Sequence, residues 1–166
     1  MKALSRFKGL AMQLIYRDTQ ISDVDALFTV RAHTRENRLS KENLASLGIT
    51  PETVAESISN GRVRGCVCLD GSNLVAFCHG DLKTGEVLVL AVTQGYEGRG
   101  IGARVLARVV ELLRSAGHSA PWLAASPSHA IRAHGFYRSL GWRPNGQKQD
   151  DGDEILVLES QAGQAV

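Results

Sequence analysis

Residues 90–106, Leu-Ala-Val-Thr-Gln-Gly-Tyr-Glu-Gly-Arg-Gly-Ile-Gly-Ala-Arg-Val-Leu, carry the reading that decides the fold. The stretch leaves an apolar strand, crosses a glycine-rich loop and enters a helix. Upstream, residues from Glu86 to Val92 are apolar on both sides, the mark of a strand in the middle of a sheet. Downstream, Ile101, Val105, Val109, Leu112 and Leu113 recur at helical spacing, with Arg104, Arg108, Glu111 and Ser115 opposite them. This predicts an amphipathic helix over 99–116, capped by Gly117. Between strand and helix, Gly98, Gly100 and Gly102 let the backbone approach a ligand closely. The first turn of a helix offers N–H groups without partners, and these donors suit a phosphate.

Toward the N-terminus, residues 13–17 alternate as a first strand. Ser22 and Asp25 resemble a capping box opening a helix to about His33. Residues 34–47 read as a turn and a short helix, and Thr50-Pro51 opens another helix that Gly61 ends. Residues 63–69 and 74–79 form a hairpin around Asp70-Gly71-Ser72-Asn73. Toward the C-terminus follow a strand over 122–125, a helix over 130–140 stopped by Gly141, and a closing hairpin, 142–148 with 154–158. The resulting order, β-α-α-β-β-β-α-β-α-β-β, implies an α/β domain whose mixed, mostly antiparallel sheet is flanked by helices. Residues 1–11 read as an extension, 12–160 as one domain and 161–166 as a tail.

Two other owners of a glycine loop are excluded. A P-loop requires Lys and Ser/Thr after its last glycine, and Ile101 follows Gly100. The dinucleotide fingerprint is met formally by Gly98, Gly100 and Ala103. That fold wants an acidic residue at the end of the next strand, where Ala124-Ala125-Ser126 stands.

The chain of 166 residues has a formal charge of +2, which argues against a dedicated nucleic-acid binder. Cys66, Cys68 and Cys78 make an odd set without a CxxC, which fits reduced thiols and a cytoplasmic location. No apolar run reaches the ~20 residues of a membrane span. The five histidines show no metal-ligand spacing, so no metal is expected.

The segment 90–106 resembles the acetyl-CoA-binding motif of the GNAT acetyltransferases, Arg/Gln-x-x-Gly-x-Gly/Ala, with Gly100 and Gly102 at the glycine places and Glu97 where Arg or Gln is usual. Residues Ala133 to Trp142 (AHGFYRSLGW) resemble a second motif of that family, Ala-x-x-Phe-Tyr-x-x-x-Gly-Phe. Ala130 stands where the family often has Asn, so that residue's contact to the pantetheine arm would be either missing or made by Ser128 or His129. The resemblance implies a GNAT-type acyl-CoA N-acyltransferase fold. It also implies acetyl-CoA held by Leu90, Ala91, Val92, Glu97, Gly98, Arg99, Gly100, Ile101, Gly102, Ala103, Ser128, Ala133 and Tyr137. Arg99 would compensate the charge that Glu97 brings near the phosphates.

Tyr137 matches the family's general acid. Glu86 stands where some members keep a catalytic base, and even spacing would put it on the sheet face of Leu90 and Val92. His79 and His134 are lesser candidates. The segment 34–41, with Arg35, Glu36, Asn37 and Arg38, would cover the acceptor, and a homodimer is in keeping with the family. The function implied is transfer of an acetyl group to a primary amine of a small molecule or peptide. The alternatives are a non-catalytic acyl-CoA sensor and a toxin acetylating aminoacyl-tRNA.

Overall fold

The computed structural model describes residues 12–36 and 39–161. The expected extension 1–11, Asn37, Arg38 and the tail from residue 162 lie outside them. The elements are β1 (Leu14–Asp18), a 3-10 turn (Ile21–Asp23), α1 (Val24–Ala32), α2 (Lys41–Ser46) and α3 (Pro51–Ser59). There follow β2 (Val63–Asp70), β3 (Asn73–Asp81), β4 (Glu86–Val92), α4 (Ile101–Ser115), β5 (Trp122–Ala125), α5 (Arg132–Ser139), β6 (Arg143–Lys148) and β7 (Glu154–Val157).

The seven strands form one sheet in the order β1-β2-β3-β4-β5-β7-β6. Every pairing is antiparallel except that of β4 with β5. The expected mixed, mostly antiparallel sheet between helices is the architecture observed.

The amphipathic stripe of α4 builds the core on one face. Ile101, Val105, Val109 and Leu113 are at most 1% exposed and pack with Cys66, Cys78, Val87, Leu123 and Leu156. Side chains of this kind contribute ~1.5–3 kcal/mol each when fully buried. On the other face, Leu27 and Val30 of α1 cover Val67, Phe77 and Ala91, with Val54 of α3 beside them.

Local chemistry moves some boundaries. The Ser22/Asp25 box gives way to Asp23, whose Oδ2 accepts the Gln20 N–H at 2.8 Å while both carboxylate oxygens take Arg17 N–H groups at 2.8 Å. Asp23 is 7% exposed, so burial with a full set of donors favours it over the wetter serine. Helix α4 starts at Ile101 rather than residue 99, because Gly100 sits at φ 77°, in the left-handed region.

One irregularity reverses an expectation. Between β3 and β4 the register passes from His79↔Val89 to Gly80↔Val87, so Leu88 is an extra, unpaired residue. Such a bulge shifts the inside-outside alternation by one. Val87, not Glu86, shares the α4-side cluster with Leu90 and Val92, and Glu86 lies opposite Asp81. The even spacing expected to align Glu86 with Leu90 and Val92 is therefore broken by the bulge.

Candidate active site

Strands β4 and β5 meet at a single pair, Glu86↔Trp122, with the Trp122 N–H donating to the Gly85 carbonyl at 3.1 Å. Beyond it they part. At the far end of β4 the Thr93 N–H donates to Val75 on β3 at 2.8 Å. Backbone groups alternate sides along a strand, so those of Leu90 and Val92 point to the open edge. Strand separation thus exposes peptide donors and acceptors that an intact sheet would consume.

A cavity of about 660 Å³ fills this opening. Leu90, Ala91 and Val92 form one wall. Glu97, Gly98, Gly100, Ile101, Gly102 and Ala103 form the second, and Ala133 and Tyr137 on α5 the third. Most of the residues expected to hold a coenzyme are therefore brought together. Gly98 and Gly100 lie at φ 72° and 77° with open space where a Cβ would project. Gly102 is different: a Cβ there would touch Val92 at 3.5 Å and Phe136 at 3.6 Å, so α4, β4 and α5 converge on it.

The first backbone hydrogen bond of α4 runs from the Arg104 N–H to the Gly100 carbonyl at 3.2 Å. The N–H groups from Gly98 to Ala103 reach no acceptor among the described residues. They form a row of donors at the positive end of a long helix, beside an open cavity. Tyr96 anchors the loop from behind, its hydroxyl donating to Asp70 at 2.8 Å.

Tyr137 is packed edge-on against Phe136, with ring centroids 5.2 Å apart, and against Trp142 at 6.1 Å. Its hydroxyl makes no hydrogen bond to a described residue, and no fully buried side-chain oxygen among them lacks a partner. The phenol oxygen therefore opens onto the cavity while the ring is held. Burial pushes its pKa above the usual 10. Arg138, next in sequence, donates to Glu154 of β7 and ties α5 to the sheet.

The Glu97 carboxylate is held by Arg35 and by the backbone of its own loop. Its Oε1 accepts from Arg35 Nε at 3.1 Å, and its Oε2 accepts from Arg35 at 3.4 Å and from the Gly95 N–H at 3.1 Å. Arg132 stands 3.8 Å away. Arg35, the Gly95 N–H and Arg132 hold its carboxyl below the ordinary range. The compensating cations are thus Arg35 and Arg132, not Arg99. Arg99 lies over the Tyr96 ring at 5.7 Å and donates to the Gly95 carbonyl, outside the cavity wall. Ser128 is also outside it, its hydroxyl accepting the Ala130 N–H at 3.3 Å in the turn before α5.

Glu86 is not brought to the cavity. It stands at the paired end of β4, where burial and Asp81 raise its carboxyl pKa. His79 packs edge-on against Phe77 at 5.0 Å and meets the Thr19 hydroxyl at 3.2 Å. It is 4% exposed, and desolvation lowers its pKa to about 4. His134 stacks on His129 at 4.0 Å, away from the cavity lining. Among the described residues there is no cluster able to hold a metal ion, and no helix is long and apolar enough to cross a membrane.

Five cavity residues were not singled out from the sequence: Tyr96, Arg132, Gly135, Phe136 and Ser139. Phe136 carried a signal, because it sits inside the second quoted motif. Arg132 carried none, since a lone Arg before a helix reads as a solvated charge.

A sheet opened at one strand pair, a helix start with idle N–H groups and Tyr137 line one open cavity. The family model described as "Acetyltransferase (GNAT) family" matches residues 23–142, and the chain belongs to that family. Comparison with curated proteins returns no match. Among solved structures, the PaiA N-acetyltransferase from Thermoplasma acidophilum in complex with coenzyme A is similar, with TM-score 0.74 and 20% identity over 90% of this chain and 100% of that one. The ribosomal-protein-S18-alanine N-acetyltransferase from Escherichia coli has TM-score 0.64 and 19% identity, covering 93% and 99%. An aminoglycoside 6'-acetyltransferase type Ii has TM-score 0.66 and 18% identity, covering 86% and 95%.

Proposed function

We propose that the protein is an acetyl-CoA-dependent N-acetyltransferase acting on a primary amine of a small molecule or peptide. The observation that carries this reading is the row of unpartnered N–H groups from Gly98 to Ala103, sharing one cavity with the open hydroxyl of Tyr137. These donors would hold the diphosphate, and the Leu90 and Val92 backbone would hold the pantetheine arm and the thioester oxygen. Acetyl-CoA supplies an acetyl thioester, activated toward an amine. As the carbon–nitrogen bond forms and the carbon–sulfur bond breaks, the Tyr137 O–H gives its proton to the departing sulfur. The amine's proton leaves to water and restores the phenol. A phenol is protonated at neutral pH, the form a proton donor needs, and burial raises its pKa further, so Tyr137 yields the proton only as the strongly basic thiolate departs. Glu86, outside the cavity, is assigned no proton-transfer step.

The acceptor would enter beside Thr34, Arg35 and Glu36, which line the same cavity from the segment after α1. Among the similar structures, one protein is named for a ribosomal-protein alanine and one for an aminoglycoside, so the fold is compatible with very different amines. The test is release of free thiol from acetyl-CoA across a panel of peptide N-termini, polyamines and amino sugars. Turnover with one class supports the reading. Tight CoA binding with no turnover on any amine favours an acyl-CoA sensor instead.

A further inference from the structure

The mouth of the cavity is crossed by charged side chains from three separate segments. Arg35 and Glu36 follow α1, Glu97 belongs to the glycine loop, and Arg132 opens α5; all four line the cavity. Arg35 reaches Glu97, Arg132 stands within ion-pair range of the same carboxylate, and the Arg132 N–H donates to Glu36 Oε2 at 3.0 Å. Two guanidiniums thus share one carboxylate. The arginine side chains are 50% and 56% exposed, whereas that of Glu97 is 17% exposed. The cations are open to a competing anion from the cavity side, and the carboxylate is the shielded partner.

A phosphate offers more charge and more acceptor oxygens than a carboxylate, and guanidinium binds it in bidentate fashion. A carboxylate on the cradle loop opposes that same phosphate. Resting on the reading that CoA occupies this cavity, we infer that Arg35 and Arg132 are phosphate-binding residues and that Glu97 is an internal counter-anion, which a CoA phosphate displaces from them. The exchange breaks the Arg35–Glu97 pair and forms guanidinium–phosphate pairs, with no covalent change.

The test is calorimetric titration of the full chain with CoA and with pantetheine, which lacks the phosphates. E97Q is expected to bind CoA about tenfold more tightly, with pantetheine unchanged. R132M is expected to bind CoA about tenfold more weakly, again with pantetheine unchanged. R132M reads the exchange from α5, without altering the cradle loop. If E97Q binds CoA no more tightly than wild type, Glu97 is a structural tie and the inference falls while the coenzyme reading stands. An equal effect of R132M on CoA and pantetheine also overturns it, because the arginine would then shape the cavity rather than hold a phosphate. If wild type binds no CoA, the coenzyme reading fails and this inference with it.

Discussion

The two ends of β4 have opposite fates. At Glu86 the strand is paired on both sides, with Asp81 on β3 and Trp122 on β5. At Leu90 to Val92 it is paired only with β3, and the other edge faces the cavity. The paired end spends its polar groups on the fold. There, Asp81 accepts from Arg62 and from the Lys83 and Thr84 N–H groups, and it is 4% exposed. The open end leaves backbone donors idle. A site arises here because one pairing stops early, at the cost of hydrogen bonds a closed sheet would have made.

The sharpest way to break this contrast is at the open end. Tyr137→Phe removes the proposed proton donor and keeps the ring packing, so kcat should fall by about 10²–10⁴ with CoA affinity unchanged. Steady-state turnover with parallel calorimetry checks it, and an unaltered kcat removes Tyr137 from the chemistry.

The next effect belongs to the sheet beside the paired end. His79 has a pKa of about 4 when folded against 6.5 otherwise. A depressed histidine pKa means that the unfolded chain takes up protons first, so stability is full above pH 6.5 and drains away as pH falls toward 4. Between pH 7 and 5 the loss from this group is about 2 kcal/mol. Urea denaturation at the two values measures it, and His79→Phe should flatten the slope. Asp23 and Asp81, whose pKa values are lowered, contribute only at more acid pH.

A smaller effect separates two glycines of the cradle. Gly100→Ala forces a side chain into the left-handed region at φ 77° and should cost ~1–2 kcal/mol as well as weakening CoA. Gly102→Ala meets its neighbours at ordinary contact distance and should be close to neutral in thermal denaturation. The smallest effect is expected for Glu86→Gln, with kcat changed by less than about threefold, because the residue lies outside the cavity. A loss of a hundredfold would mean that the amine reaches the paired end after all, and would restore Glu86 as a base.

Much of this was legible in residues close together in the chain. The stripe of α4, the turn glycines and the helix start after Gly100 are local facts, because helical period and left-handed φ are decided within a few residues. The cradle and Tyr137 were readable for the same reason, each lying in a short motif beside the element that places it. Glu86 was misplaced on the sheet because a bulge at Leu88 is set by pairing with β3, not by β4's own pattern. Arg35 and Glu97 are 62 positions apart, so their pair depends on how α1 and the glycine loop approach one another.

The sequence by itself determined which residues form strands and helices, where the apolar faces lie, and that a glycine loop offers peptide N–H groups to an anion. These follow from short-range sterics and from the period of the apolar residues. Only the tertiary structure decided that β4 and β5 separate after one pair, that Tyr137 lines one cavity with the donors, and that Glu97 is paired with two arginines. Those outcomes depend on contacts between distant segments, whose register and packing are chosen by the whole core at once.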